Sequence, residues 1–159
     1  MQIEARLAAA GLTLPRPAMH PGPTKVPVAW VRMAGHRAHA SGHGPLAPDG
    51  SLALPLGRVG AEVTLEQAQH AAELALLALL GSLQRCIGDL DRVTAWLTIS
   101  AFVRVAPGFT DTVAVLNGAS DLLLQLYGPK AGGHARSAIG VADLPLGVPV
   151  VVAAEVEIP

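Results

Sequence analysis

Hydrophobic positions along the chain follow two different periods, which predict where helices and strands lie. From residue 65 to 87, apolar residues recur at steps of three and four, which is one face of a helix. Thr64 precedes this segment and Gln67 follows three residues later, the pattern of a capping box, while Gly88 marks the helix end. A second helix is predicted over residues 110–127, before a Gly-Pro pair.

Strict alternation marks the best strand, over residues 93–103. One face of this strand is purely apolar, and the other is small, polar and aromatic, with Trp96 on it. "VAWVRMAG" and "RAHASG" predict two short strands joined by a turn at Gly35-His36. A strand at 135–141 and the final segment "VVVAAEVEI" follow, separated by the turn "DLPLGVP".

The elements form one domain over residues 1–159, with no linker and no repeat. A short N-terminal helix is expected within residues 1–14 and a Pro-rich loop over 15–27. The order strand, strand, helix, strand, helix, strand, strand predicts an α+β domain, a mixed sheet with two long helices on one face. The opposite, half-apolar sheet face needs a cover, which copies of the same chain could supply.

Composition narrows the functional classes. Only 14% of residues are charged, against about 25% in ordinary domains, which favours self-association. A net charge of −1 and 3% aromatic residues argue against nucleic acid and anionic membranes as partners, so RNA cleavage ranks last. Cys86 is the single cysteine, so no intramolecular disulfide forms. Neither a signal peptide nor a membrane span is predicted, and we expect a cytoplasmic protein.

One arginine stands inside the apolar strand 135–141. Alternation places Ala135, Ser137, Ile139 and Val141 on one side, interpreted as the core side, and Arg136 on the other, interface side. A guanidinium there suits bidentate binding of a carboxylate. An ion pair with an acid across a subunit boundary is the alternative.

"NGASDLLLQLYG", "GGHARSAIGVADLPLGVPV" and the "SG" of "RAHASGHGPL" resemble the Rid family, also known as YjgF-like and by the older label endoribonuclease L-PSP. The resemblance covers nearly the whole chain, in a longer variety with an N-terminal helix. It implies a chorismate-mutase-like fold and a homotrimer whose open sheet faces form a central barrel. It also implies ligand clefts between subunits and hydrolysis of 2-imino and enamine acids to 2-keto acids and ammonia.

The resemblance also assigns site residues. Arg136 would bind the substrate carboxylate and Asn117 would line the cleft. Backbone groups of Ser41, Gly42 and Ala138 would approach the ligand, Ala138 standing where some relatives have cysteine. Simpler alternatives remain: Asn117-Gly118 is a strong turn dipeptide, and Ser-Gly after a strand is usually a turn.

The acid that orients the attacking water in the family is missing here. Its position is Val151, and the next residue on that face is Ala153. Glu155 shares the face but lies about 13 Å from Val151 along an extended strand. The sequence therefore leaves two functions open: an imine hydrolase, or a binding module for a small carboxylate metabolite.

The histidines predict no metal site. His39 and His43 lie too far apart on a strand to share an ion with bonds of about 2 Å, and glycines exclude one helix carrying them with His36. His134 either edges the cleft and modulates Arg136, two residues on, or lies in an exposed loop. No cofactor is predicted.

Overall fold

The computed structural model describes residues 1–19 and 23–159. In these residues, helices α1, α2 and α3 span Gln2–Ala9, Leu65–Ile87 and Thr112–Ala131. Strands β1 to β5 span Val31–Ala34, Arg37–His43, Ala95–Arg104, Ala135–Val141 and Val150–Glu157. The predicted order of elements and the mixed α+β class are confirmed. Residues 20–22 of the predicted Pro-rich loop lie outside the described residues.

Both long helices begin and end where local chemistry requires it. The Thr64 side chain accepts a hydrogen bond from the backbone of Gln67, whose side chain caps Thr64 in return, so the predicted capping box is present. Gly88 ends α2 at φ 86°. In α3, regular helix stops at Gly128, whose φ of 74° and ψ of 173° introduce a kink before Pro129.

The five strands form one sheet in the order β1-β2-β5-β3-β4. All neighbouring pairs are antiparallel except β3 and β4, which are parallel. Parallel strands need a crossover connection, and α3 provides it. Strand β4 is consequently an edge strand whose residues are set in register by β3 and covered by α3.

The apolar sides of α2 and α3 pack on one sheet face to form the core. Alternation holds from Ile99 to Val103, but it fails at Trp96, which the sequence pattern had placed on the opposite face. A register shift between Trp96 and Thr98 turns the Trp96 ring inward, where it is 1% exposed and packs against Tyr127 at 5.6 Å between centroids. A bulge of this kind leaves no mark in the hydrophobic period.

The predicted sidedness of β4 is wrong. Register pairs Arg136 with Ile99 and Ser137 with Ser100, and paired residues in a parallel ladder share a face. Arg136 therefore points to the helix layer with buried Ile99, while Ile139 is 52% exposed on the open face. Periodicity alone assigns the apolar side of a strand to the core, but in this edge strand that side lies on the open face.

Helix α3 lies unusually close to α2 at Gly118. A Cβ at this position would lie 2.2 Å from the backbone oxygen of Gln69, so only glycine permits the contact. The Gln69 side chain also donates to the backbone oxygen of Ala114 at 3.0 Å. This crossing places the first turns of α3 above β4, which positions the site described below.

The face of the sheet opposite the helices is uncovered in the single chain. It carries Phe102 and Ile139 beside Ser100 and Ser137, and Val151 on β5. Small and apolar side chains therefore dominate the half formed by β3 and β4. Among the described residues, no helix is both long and apolar enough to span a bilayer.

Candidate functional site

The guanidinium of Arg136 is held against α3 by three neutral acceptors. Nη1 donates to the Ser120 hydroxyl at 2.9 Å, and Nη2 donates to Asn117 Oδ1 at 2.8 Å and to the Val113 carbonyl at 3.2 Å. The three acceptors follow one another along one side of the first turns of α3, because residues three and four apart share a helix face. Helix and edge strand thus fix the planar group in one orientation.

No carboxylate within residues 1–19 and 23–159 lies within 4.0 Å of Arg136. Arginine has five N–H donors, and three are used, so two remain for a ligand. Neutral acceptors on α3 stabilise the positive charge of Arg136, but no acid in the described part of the chain neutralises it. Because both Nη2 hydrogens are used, the remaining Nε–H and one Nη1–H lie on different edges of the guanidinium, and each can donate a charge-assisted hydrogen bond to an anion.

The Ser120 hydroxyl links Arg136 to His134. His134 Nδ1 lies 2.7 Å from the Gly132 carbonyl and must donate to it, which leaves Nε2 as an acceptor 2.9 Å from Ser120 Oγ. Ser120 therefore donates to His134 and accepts from Arg136. Ser120 thus joins Arg136 and His134 in one chain of hydrogen bonds.

Asn117 lies within α3 and not in a turn, so the turn alternative is wrong. Because Arg136 can only donate, the amide oxygen of Asn117 must face it, and the amide N–H groups point away. The Asn117 side chain is exposed and can add a donor beside the free N–H groups of Arg136.

The other predicted site residues line a separate apolar cavity of about 480 Å³. Ser41, Gly42 and Val151 form part of its wall. The segment before β1 and the turn before β5 supply further lining residues: Val28, Trp30, Leu144, Pro145, Leu146 and Val148. A Cβ on Gly42 would lie 2.8 Å from Val151 Cγ1, so the bulge in β2 fits directly over Val151. Arg136 and Asn117 do not line this cavity.

Ala138 lies on the helix side of β4 beside Arg136. Its carbonyl accepts a hydrogen bond from the Thr112 hydroxyl at 3.0 Å, and its side chain packs on the core. Within one chain, the predicted residues therefore form two groups: Arg136, Asn117 and Ala138 at β4 and α3, and Ser41 and Gly42 at the apolar cavity.

The acids near these groups are engaged elsewhere. Val151 and Ala153 point to the open face as predicted, with Glu155 on the same side. Glu155 forms an ion pair with Arg37 at 2.9 Å and lies 3.8 Å from His39. It is therefore occupied by β2 and does not replace the missing acid.

Two of the residues that hold Arg136 were missed from the sequence. Ser120 follows Asn117 by three residues, which puts both polar groups on one face of an otherwise apolar helix, and this spacing could have indicated them. The sequence places His134 either at the edge of the cleft, where it modulates Arg136, or in an exposed loop, and the structure links it to Arg136 through Ser120. The Val113 carbonyl is a backbone group, for which no side-chain pattern exists.

His43 is buried beneath the Ser41–Gly42 segment. Its Nδ1 bonds the Ser41 carbonyl, and its Nε2 lies 2.9 Å from Ser82 Oγ on α2. Burial, opposed by the bond to Ser41 and aided by the nearby Arg85 cation, lowers the pKa of His43 to about 4. His43 is therefore neutral at pH 7 and serves to anchor this segment on α2.

Among the described residues, one group of acids comes close enough to share an ion: Glu4, Asp89 and Asp91. The amino group of Met1 donates to Asp89 and Asp91, and the Ile3 amide donates to Asp91 at 2.8 Å. These acids hold the start of α1 and are distant in sequence from both groups of site residues.

Comparison with known proteins places this architecture in a family. The family model described as "YjgF/chorismate_mutase-like, putative endoribonuclease" matches residues 4–157, and the chain belongs to this family. "Protein TCP17" of Trypanosoma cruzi is 38% identical over 157 residues, covering 99% of this chain and 94% of that protein. Atu1372 of Agrobacterium tumefaciens, a crystal structure, is 35% identical with a TM-score of 0.84, covering 98% of this chain and 91% of that one.

A crystal structure described as a "putative endoribonuclease" from Shewanella oneidensis MR-1 is 31% identical with a TM-score of 0.87, covering 98% of this chain and 99% of that one. Escherichia coli TdcF, solved with bound serine, shares the fold at a TM-score of 0.54 and 17% identity, covering 92% of this chain and 96% of that one. The expected chorismate-mutase-like fold and Rid-type family membership are therefore confirmed.

Neutral His43 makes stability depend on pH in a defined direction. Because its pKa is about 4 in the folded chain and about 6.5 when unfolded, the unfolded chain binds more protons between these values. We expect the free energy of unfolding to fall by about 3 kcal/mol from this residue as the pH drops from 6.5 to 4, and none of this effect above pH 7.

Urea unfolding at pH 4.5, 5.5 and 7 would measure this dependence. His43→Gln keeps an amide able to bond Ser82 and should flatten the decrease in unfolding free energy seen in wild type. His70→Gln changes an exposed residue of α2 and should leave that decrease unchanged. Identical pH dependence in wild type and His43→Gln would contradict the assignment.

Proposed function

We propose that the chain is a Rid-type protein that binds a small 2-oxo or 2-imino carboxylate through Arg136. The observation that carries this proposal is the guanidinium held by Ser120, Asn117 and Val113 without a neighbouring acid. Hydrogen bonds that involve a charged group are worth about 1.5–3 kcal/mol, so each of the two free N–H donors can hold a carboxylate oxygen. TdcF, which shares the fold, was solved with serine, itself a small carboxylate.

The two groups of site residues are best joined between copies of the chain. Arg136 lies on edge strand β4, and the Ser41–Gly42 cavity lies towards the opposite edge, where β2 pairs with β1. In a ring, the β4 edge of one copy would meet the β1–β2 edge of the next. This contact brings Arg136 with its α3 acceptors, here called the carboxylate clamp, to the apolar cavity of the neighbouring copy. The uncovered sheet face and the low content of charged residues favour such assembly, which we propose is a homotrimer.

Hydrolysis of the bound imine is a second candidate function. In this reaction water adds to the imine carbon, the C–N bond breaks, and a 2-keto acid and ammonia are released. No carboxylate stands at 151 or 153, but the imidazole of His134 is linked to Arg136 through Ser120. Through the Ser120 hydroxyl this imidazole can accept a proton, which favours turnover without a glutamate. RNA cleavage is disfavoured, because the chain carries a net charge of −1 and only 3% aromatic residues.

Carboxylate binding is tested with pyruvate by calorimetry. We expect wild type to bind pyruvate and not its uncharged amide, and Arg136→Ala to raise the Kd about ten-fold or more, as loss of a charged hydrogen bond implies. Arg136→Lys should also weaken binding, since a lysine has only three donors and α3 already supplies three acceptors. Arg58→Ala, which removes a surface cation paired with Glu62, is the control. Equal binding by Arg136→Ala and wild type would refute the clamp.

Turnover is tested with freshly generated 2-iminopropionate, following loss of the imine. We expect wild type to exceed the buffer rate, Arg136→Ala to abolish the excess, and His134→Gln to lower kcat by about 10²-fold. Because His134 does not reach the two free N–H groups of Arg136, the KM of His134→Gln should change less than its kcat. His36→Gln, on the β1–β2 turn, should match wild type. If the protein binds pyruvate but does not hydrolyse the imine faster than buffer does, the binding function stands and hydrolysis is rejected.

Assembly is tested by light scattering. Wild type should have three times the 16.3 kDa mass of the chain. Ile139→Glu places a charge on the uncovered face and should give a folded species of lower mass. Leu124→Glu changes a comparably exposed leucine on α3 and should keep the wild-type mass. A monomeric wild type, or an Ile139→Glu variant that stays trimeric, would contradict the proposed arrangement.

A further inference from the structure

A second arginine, Arg85 near the end of α2, is also held without an acid. Its Nη2 donates to the Ser82 hydroxyl at 3.1 Å and its Nη1 to the Pro15 carbonyl at 3.3 Å. In the part of the chain that the structure describes, no carboxylate approaches it within 4.0 Å. A Cβ on Gly81 would lie 3.2 Å from Arg85 Nη1, so this helix glycine leaves room for the guanidinium against α2.

Arg85 borders a cavity of about 260 Å³ between α2 and the β1–β2 hairpin. Trp30 and His43 contribute two rings to its wall, with centroids 5.1 Å apart and planes inclined at 51°. Leu46 and Cys86 line the remaining sides, and no acidic residue is among the lining residues. The cavity is therefore apolar and aromatic, with one cation at its border.

The other polar groups of this cavity are already satisfied. His43 Nδ1 donates to the Ser41 carbonyl, so Nε2 accepts from the Ser82 hydroxyl, which in turn accepts from Arg85. Ser82 and His43 consequently offer a ligand no further strong donor. Recognition of a polar ligand group falls to the remaining N–H groups of Arg85, which select an anion.

We infer that this cavity is a second ligand site, which takes a small planar aromatic carboxylate. The carboxylate would bind Arg85, and the ring would pack against Trp30 and His43, since aromatic pairs prefer stacked or inclined contacts at such distances. The site shares Trp30 and Leu46 with the larger apolar cavity but contains neither Arg136 nor Asn117. It does not depend on the carboxylate clamp at Arg136.

Benzoate is the probe for this site, and tryptophan emission is the readout. Trp30 is 40% exposed at the cavity whereas Trp96 is 1% exposed in the core, so a ligand-induced change reports on Trp30. We expect a saturable change with benzoate and at least ten-fold weaker binding of benzamide, which has the same ring without the charge. Arg85→Gln should weaken benzoate binding at least ten-fold.

Two controls separate this inference from the proposed function. Arg136→Ala should bind benzoate as wild type does, even though it should lose pyruvate. Arg58→Gln, which removes an arginine paired with Glu62 on the surface, should also behave as wild type. If Arg136→Ala abolishes benzoate binding and Arg85→Gln does not, benzoate occupies the clamp and the second site is rejected.

Alkylation of Cys86 by iodoacetamide gives a readout that needs no variant. Cys86 is exposed and lines the cavity, so bound benzoate should slow its modification in wild-type protein, and benzamide at the same concentration should not. This measurement keeps the inference testable if Arg85→Gln fails to fold. Equal alkylation rates with and without saturating benzoate would overturn the proposed site.

Discussion

The structure of the candidate site depends on how the charge of Arg136 is accommodated. An arginine packed against a helix must be hydrogen-bonded, and the usual partner of such a cation is a carboxylate. Here α3 supplies a hydroxyl, an amide oxygen and a backbone carbonyl instead. Neutral acceptors stabilise the position of the guanidinium and leave its charge available. The close contact of α3 with α2 at Gly118 is what keeps these acceptors above β4.

The elements were predictable from the sequence because each carries its own local signal. The capping box of Thr64, the alternation of β3 from Ile99 to Val103 and the Gly-Pro kink of α3 are all short-range features, and the structure contains each of them. The predictions that failed concern side-chain directions that are set by pairing with neighbouring strands. Trp96 turned inward through a bulge, and Arg136 took its face from the parallel register with β3. Neither a bulge nor a register partner can be inferred from the period of one strand.

The same distinction applies to the site. Arg136 and Asn117 were predicted as site residues, and they meet at 2.8 Å, but Ser120 and His134 complete the clamp only because α3 and β4 come together in the fold. Ser41 and Gly42 line a cavity that Arg136 does not reach in the same chain. A single sequence specifies the residues of such a divided site. In the proposed assembly their distance depends on how copies pack together, which strand periodicity does not encode.

Arg136 and Arg85, which both lack a neighbouring acid among the described residues, are held by the same chain of a histidine and a serine. This shared arrangement has a physical reason. In each case a histidine donates Nδ1–H to a carbonyl two residues before it, accepts a serine hydroxyl at Nε2, and that hydroxyl accepts from the arginine. A carboxylate in place of the imidazole would also orient the serine, but it would attract the cation and compete with any anionic ligand. An imidazole carries no negative charge, so it fixes the geometry without this competition. For His43, burial that lowers its pKa to about 4 keeps the imidazole neutral at pH 7. An arrangement in which neutral groups orient the arginine and the arginine alone supplies the charge suits recognition of carboxylates.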